Sequence, residues 1–486
     1  MFSRRDWLST LNSLAIGYNY PVGQVALALM DSSILKGNTV DPAYRRKRME
    51  YEAINSAVLV GTLAGMLLLG YAADRWGFRK TNLLASSLVS IGAIGSAFCT
   101  WGDNTTIYVL LGSFRFILGI GVGGKYPLAS RAGFDGKSGS VLQKSANAGR
   151  IFRASFLFGA TVPFIFAGIF LSALGDNFGA DYKLYTSLQF RTLFAIGAIP
   201  SLGALFVAYS LPDDSQNVPQ RSDAPIRNAL ANPDTKYKLL GTSLTWLIYD
   251  ICFYGVIMSI PSFTAQIFTR ENLIGSFWHS ALVNVSLLPA TMIAMVALPK
   301  YGAKNLLFQG FIWTTVTFAV SAFVTSSSHF GGAFRLFMLC LIFTATAPLS
   351  IGCFSAPTEM FLSDVRSTFF GFSAFWGKIG AFLGSFVFPI LLKRLGLSGI
   401  FAVCSILSFF GLITSIFFIL PFGQGLRAGA WPCVSCARGR DKDSEDETVI
   451  SEENQGLLGK DAQDDADADE YSIQYEGEAG EAGEAA

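Results

Sequence analysis

The chain alternates between long apolar runs and short polar interruptions. A helix needs roughly 20 largely apolar residues to cross a bilayer, and runs of that order recur at about 8–31, 53–73, 80–100, 106–130, 147–174, 189–211, 238–265, 276–299, 304–325, 333–356, 366–393 and 398–421. The pattern predicts an all-α polytopic membrane protein with twelve transmembrane helices. The longest clearly polar interruption, 212–237, divides the body into two six-helix halves, 1–211 and 238–421. Many spans are rich in Gly, Ala and Ser, which lets helices approach closely in lipid. Several transporter families share this plan, so it fixes a class and not a substrate.

Composition sharpens the class. Of 486 residues, 51% are hydrophobic and only 15% charged, too little charge to coat soluble domains of that size. A water-soluble enzyme is therefore excluded, and the chain is not expected to be an enzyme at all. The two histidines, His279 and His329, rule out multi-histidine metal sites and leave little room for a Ser-His-Asp arrangement. Seven cysteines without dense spacing exclude a disulfide scaffold. No cofactor, metal or nucleic-acid partner is implied; membrane lipids are.

The net charge of +1 hides an asymmetry. From Asp441 to Ala486 there are seventeen acidic residues and two lysines, a balance of −15, so the rest of the chain carries +16. The segment 422–486 reads as an acidic, disordered cytoplasmic tail, and 212–237 as a cytoplasmic linker. Tail signals are weak. Cys433 and Cys436 follow the last span, where thiols are candidates for palmitoylation. Residues 453–458 (Glu-Asn-Gln-Gly-Leu-Leu) resemble an acidic dileucine sorting signal, and Ser444 and Ser451 lie among acids suited to phosphorylation.

Loops after spans two, four and eight carry Arg75, Arg79, Lys80, Lys137, Lys144, Arg150, Lys300 and Lys304. With Arg4 and Arg5 they place both termini in the cytoplasm by the positive-inside rule. The sequon Asn104-Thr105-Thr106 then falls on the far side. The run Arg45-Arg46-Lys47-Arg48 opposes this orientation, tempered by Asp41, Glu50 and Glu52. The plasma membrane is the expected location, with an internal vacuolar or endosomal membrane as the alternative.

Ionisable residues inside apolar spans are expensive and therefore informative. Arg115 and Lys125 flank a glycine run in span four, Asp250 lies in span seven and Lys378 in span eleven. Trp246, Asp250 and Tyr254 recur every four residues and so share one helix face. Asp250 and Lys378 are candidates to pair across a cavity. Three deep cations against one carboxylate predict a preference for an anion. For Arg115 the competing reading is a buried tie between helices. For Lys125 the competing reading is a side chain that snorkels to the inner surface.

Between spans two and three, Gly70-Tyr71-Ala72-Ala73-Asp74-Arg75-Trp76-Gly77-Phe78-Arg79-Lys80 resembles the signature loop of the major facilitator superfamily, stretched by Phe78. The resemblance implies a gating motif of Gly70, Asp74, Arg75, Gly77, Arg79 and Lys80, an acid at a helix end meeting basic groups and helix termini. Leu298 to Lys304, between spans eight and nine, looks like an eroded copy without the acid, as duplicated halves would leave.

A narrower resemblance is to the phosphate:proton symporter family of fungal and plant phosphate permeases. It rests on Gly123-Gly124-Lys125-Tyr126-Pro127-Leu128, on Trp246, Asp250 and Tyr254, and on Pro357-Thr358-Glu359 with Arg366-Ser367-Thr368 and Gly377-Lys378. It implies a carrier of inorganic phosphate with a coupling proton, the phosphate contacted by Tyr126, Trp246, Asp250 and Tyr254. Asp250 would select protonated phosphate by repelling a fully ionised oxyanion. Adding the cations Arg115, Lys125 and Lys378, and Ser350 in place of a family asparagine, completes the expected site. The departures are Lys125 for a family acid, no carboxylate in Gly17-Tyr18-Asn19-Tyr20-Pro21-Val22, and a span-five glutamine replaced at Phe158. Two alternatives stay open: a carrier of another solute, such as an organic anion or a sugar, and a non-transporting phosphate sensor.

Overall fold

The computed structural model describes residues 3–23, 25–26, 42–99, 104–135, 138–174, 190–212, 224–268 and 273–419. The tail features at 433–458, Lys137 and linker residues 213–223 lie outside the described residues; of Arg45 to Arg48 only the helical backbone is described. The elements are α1 (Arg4–Asn19), α2 (Pro42–Arg75), α3 (Phe78–Phe98), α4 (Asn104–Asp135), α5 (Val141–Leu174), α6 (Ile199–Tyr209), α7 (Ala224–Ala231), α8 (Pro233–Ile267), α9 (Leu273–Ser326), α10 (Gly332–Met360) and α11 (Arg366–Thr414).

Nine described helical stretches are long and apolar enough to cross a membrane. Two of them are double. Gly302 in α9 (φ 75°, ψ 163°) and Gly396 in α11 (φ 66°, ψ −175°) leave helical geometry, at left-handed φ values that glycine alone adopts cheaply. Each break separates two spans, and α1 supplies one more, so the twelve expected spans are accounted for. The first is interrupted near Tyr20. Helix α1 ends at Asn19 with Tyr20 still in helical geometry as its C-cap; Pro21 brings no N–H of its own, and residues 22–23 and 25–26 are helical again, the Val25 amide donating to the Pro21 carbonyl at 3.1 Å.

Small residues set which helices touch. Gly61 and Gly65 of α2 face Phe116, Gly119 and Ile120 of α4 so closely that a side-chain carbon would strike backbone. The same holds where Gly380 and Gly384 of α11 meet Leu247 and Ile251 of α8, the small-xxx-small packing of helices in lipid. Large apolar side chains such as Leu68, Phe98, Phe206, Ile293 and Phe323 are exposed. An outer face of this kind suits hydrocarbon and not water.

Candidate functional site at the interface of the two halves

Lys378 owes its position to the glycines around it. On the α11 face against α8, a side chain at Gly377 would strike Trp246, and one at Gly380 or Gly384 would strike α8 backbone. With those side chains absent, Lys378 reaches Asp250: Nζ donates to Oδ2 at 3.0 Å and to the Tyr254 hydroxyl at 3.0 Å. Both partners are buried, at 2% and 1% exposure. Three phenol rings surround the ammonium, with centroids 4.2 Å (Tyr254), 5.3 Å (Tyr20) and 5.4 Å (Tyr126) away, and aromatic faces attract a desolvated cation. Tyr20 follows α1 and Tyr126 lies in α4, so the cage is built by both halves. The Tyr20 hydroxyl donates to Thr62 of α2 at 3.2 Å.

A second cation belongs to this centre and is absent from the expected site. Arg153 of α5 is 3% exposed, its guanidinium lies 5.6 Å from the Phe156 ring, and its Nε and Nη2 have no hydrogen-bond partner. Tyr126, Tyr249, Tyr254 and Asp250 stand within its Coulombic reach. Neighbouring Phe152 stacks on Phe354 of α10 at 3.7 Å, which ties this wall to the opposite half. A guanidinium stays charged in a protein, and each unsatisfied buried donor costs about 1–3 kcal/mol. Such a debt leaves buried donors at the interface of the halves without a protein partner. The available signal was an arginine nearly two turns inside the fifth apolar run; nearby Arg150 is exposed. Phe158, the expected replacement for the family glutamine, is 66% exposed on the outer side of α5 and takes no part.

The other two expected cations stand elsewhere. Lys125 is fully buried within the N-terminal half, where Nζ donates to Asn12 Oδ1 at 2.7 Å and to Ser86 Oγ at 2.9 Å. Asn12 in turn donates to Asn82 Oδ1 at 2.8 Å. Successive helical residues point about 100° apart, so with Tyr126 turned to the centre, Lys125 enters the packing of α1, α3 and α4. It neither snorkels nor joins Lys378. Arg115 donates from Nη2 to the Asn19 carbonyl at 2.7 Å and lies 5.3 Å from the Phe194 ring. That carbonyl belongs to the negative end of α1, so Arg115 holds the helix end just before Tyr20. Ser350 donates to the Ala347 carbonyl of its own helix at 2.8 Å. Trp246 packs edge-on against Phe370 at 5.5 Å, one turn from Asp250. The expectation that Arg115, Lys125 and Lys378 share one cavity is thus corrected: the central cations are Lys378 and Arg153.

The signature loop ties the halves together at one end. Asp74 accepts from the Thr368 amide and hydroxyl, each at 2.8 Å, and from Arg131 Nη1 at 3.3 Å. A carboxylate at the first turn of α11 meets the positive end of its dipole. Close by, Ser130 and Thr358 share a hydrogen bond of 2.6 Å, and Gly70 and Gly371 let α2 and α11 touch. Arg79 donates to the Tyr209 carbonyl at 2.9 Å, Arg75 packs on Tyr71, and Lys80 is exposed. Gly77, with φ 94° and ψ 154°, starts α3 as Gly302 starts the second part of α9. The eroded copy therefore keeps the backbone of the original, and Glu359 supplies an acid to it, accepting from the Ala303 amide at 3.3 Å.

The model of the sugar (and other) transporter family matches residues 8–216 and 221–426, both halves and nearly the whole membrane body. The chain belongs to this family. Among curated members it is 30% identical over 446 residues to the inorganic phosphate transporter PT2 of Toxoplasma gondii, covering 87% of this chain and 75% of that one. It is 24% identical over 436 residues to a probable inorganic phosphate transporter of Arabidopsis thaliana, with coverage of 77% and 82%. A glycerophosphoinositol transporter of Saccharomyces cerevisiae is 26% identical over 388 residues, with coverage of 75% and 70%. The solved proton:xylose symporter XylE aligns with a TM-score of 0.65 at 17% identity, over 85% of this chain and 94% of that one. XylE from E. coli in a partially occluded inward-open conformation aligns at a TM-score of 0.62 and 18% identity, covering 86% and 97%. These matches give the major facilitator fold of a multi-pass integral membrane carrier, not an enzyme.

Proposed function

We propose that this carrier moves inorganic phosphate across its membrane by alternating access. The observation that carries the reading is the Arg153 guanidinium, whose Nε and Nη2 lack partners, within Coulombic reach of Asp250 and of the Tyr126 and Tyr254 phenols that surround Lys378. A phosphate oxygen would complete Arg153, and phenol hydroxyls of the cage would donate to the others. Because the site draws on both halves, rocking one against the other remakes it on the opposite side. Relatives named as phosphate transporters support the same substrate. Proton coupling, implied by the resemblance, would run through Asp250, the one carboxylate at the centre among the described residues. Cytoplasmic termini and residence in the plasma membrane complete the proposal.

A second reading has its own support: a relative named as a glycerophosphoinositol transporter makes a glycerophosphodiester a candidate substrate. Uptake of radiolabelled phosphate into proteoliposomes separates the two. Saturable uptake, competed by unlabelled phosphate and indifferent to glycerophosphodiesters and hexoses, is the expected result. Uptake of a hexose or a diester without phosphate uptake would overturn the phosphate reading.

A further inference from the structure

We infer that two aromatic bridges between the halves, one on each side of Asp250, set the size of the cargo, and that Phe152 and Phe354 exclude phosphate esters. The inference rests on the phosphate reading and deepens it. It names the groups that admit a bare tetrahedral oxyanion and turn away the same oxyanion carrying an organic arm.

Both bridges are keyed to α8. Trp246 lies one turn before Asp250 and Tyr254 one turn after it, on the same helix face. On the Trp246 side the rings form an unbroken row. Trp246 meets Phe370 of α11 edge-on at 5.5 Å, and Phe370 meets Phe354 of α10 edge-on at 5.1 Å. Phe354 then stacks on Phe152 of α5 at 3.7 Å, with the planes 9° apart, and this contact crosses between the halves. Tyr126 of α4 continues the row, 5.6 Å from Phe152. On the Tyr254 side the crossing is made by Tyr20, whose ring lies 6.3 Å from that of Tyr254 at 69°.

The two bridges resist a ligand in different ways. Phe152, Phe354 and Phe370 are buried and apolar, and the stacked pair is in van der Waals contact, so the row has no polar atom to offer a ligand and no gap to yield. It is also backed. One turn beyond Phe354 and Tyr126, Thr358 and Ser130 share their hydrogen bond across the halves. The phenols of the other bridge are held by their hydroxyls, Tyr20 to Thr62 and Tyr254 to Lys378. Arg153 directly follows Phe152 in α5 and reaches Asp250 and Tyr254 with its field, so an oxyanion held beside it lies between the bridges.

An ester arm on that oxyanion has to pass one bridge or the other. Through the first it must unstack two rings from opposite halves; through the second it must displace a phenol from the Lys378 ammonium. Packed aromatic walls are not continuously deformable, and an apolar wall discriminates about 10- to 200-fold for a single added group. The stacked pair is the part of this enclosure that carries no charge and no hydrogen bond to the centre, so it acts on size alone.

The test uses the full chain in proteoliposomes and glycerol 3-phosphate as the probe, a phosphate group with a three-carbon arm. In the wild type its inhibition constant against radiolabelled phosphate uptake should exceed the KM for phosphate by at least about 100-fold. Phe354→Leu and Phe152→Leu keep an apolar side chain and remove the stack from opposite sides. Each should lower that constant at least about tenfold and leave the KM for phosphate within about threefold. Labelled glycerol 3-phosphate should enter vesicles through the leucine variants and not through the wild type. Phe158→Leu, on the outer side of the same helix as Phe152, should change none of these values. Glycerol 3-phosphate that competes as well as phosphate in the wild type would overturn the inference while leaving phosphate as substrate. So would unchanged exclusion in both leucine variants, or loss of phosphate uptake in both at an unchanged melting temperature, which would make the pair part of the transport machinery and not a filter. Absence of phosphate uptake by the wild type would overturn the phosphate reading and the inference with it.

Discussion

In the N-terminal half, Arg115 and Lys125 lean on neutral oxygens: a helix-end carbonyl, an asparagine amide and a serine hydroxyl. In the C-terminal half, Lys378 meets a carboxylate. Neutral acceptors solvate a charge without cancelling it, whereas an ion pair removes most of its field. The N-terminal cations are built into the packing of their own half, and the C-terminal pair lies in a cage that both halves complete. The loops repeat the contrast. Asp74 sits inside its own signature loop and reaches across to α11, while the second loop borrows Glu359 from α10 within its own half.

The strongest way to break the comparison is at the ion pair. Asp250→Asn leaves Lys378 buried without a counter-charge, at a cost of about 3–5 kcal/mol. Phosphate uptake should fall at least about 100-fold and the melting temperature should drop. Adding Lys378→Met to Asp250→Asn should recover the melting temperature but not uptake. Recovery of uptake in the double variant would remove the pair from the transport path.

Lys125→Met comes next. It leaves Asn12 Oδ1 and Ser86 Oγ without their donor, a loss of about 1–3 kcal/mol in stability. Thermal unfolding should report that loss, with the KM for phosphate unchanged within about threefold if Lys125 is a packing group. A KM rise as large as that of Asp250→Asn would show that the cations of the two halves share one site after all.

The smallest effect concerns the loops. Asp74→Asn weakens the cap on α11 by about 0.5–2 kcal/mol, which biases the carrier toward opening at that end. Alkylation of a cysteine introduced at Ser130, now bonded to Thr358, should speed up severalfold. Glu359→Gln, acting within one half, should change that rate by less than about twofold. Equal effects would erase the distinction between the loops.

Span number, the division into halves, the signature loop and the partnership of Asp250 with Lys378 could be read along the chain. Each depends on local pattern: about 20 apolar residues per crossing, a loop at a helix end, and an acid and a base each too costly to leave alone in lipid. Arg153 was not legible in the same way. It lies near a basic loop and close to exposed Arg150, and only the folded structure shows it buried with two donors unpartnered. Lys125 failed in the opposite direction, since its motif position beside Tyr126 implied a place in the site that helical geometry gives to its neighbour.

What the sequence alone determined is therefore the membrane body, its duplicated plan and which charges had to find partners. Tertiary structure alone decided which cations face the shared centre. Burial makes an unmet charge costly, but an ammonium is met equally well by Asn12 and Ser86 inside one half or by Asp250 in the cage. Only the approach of particular helices, governed by glycines such as Gly377 and Gly380, selects between them.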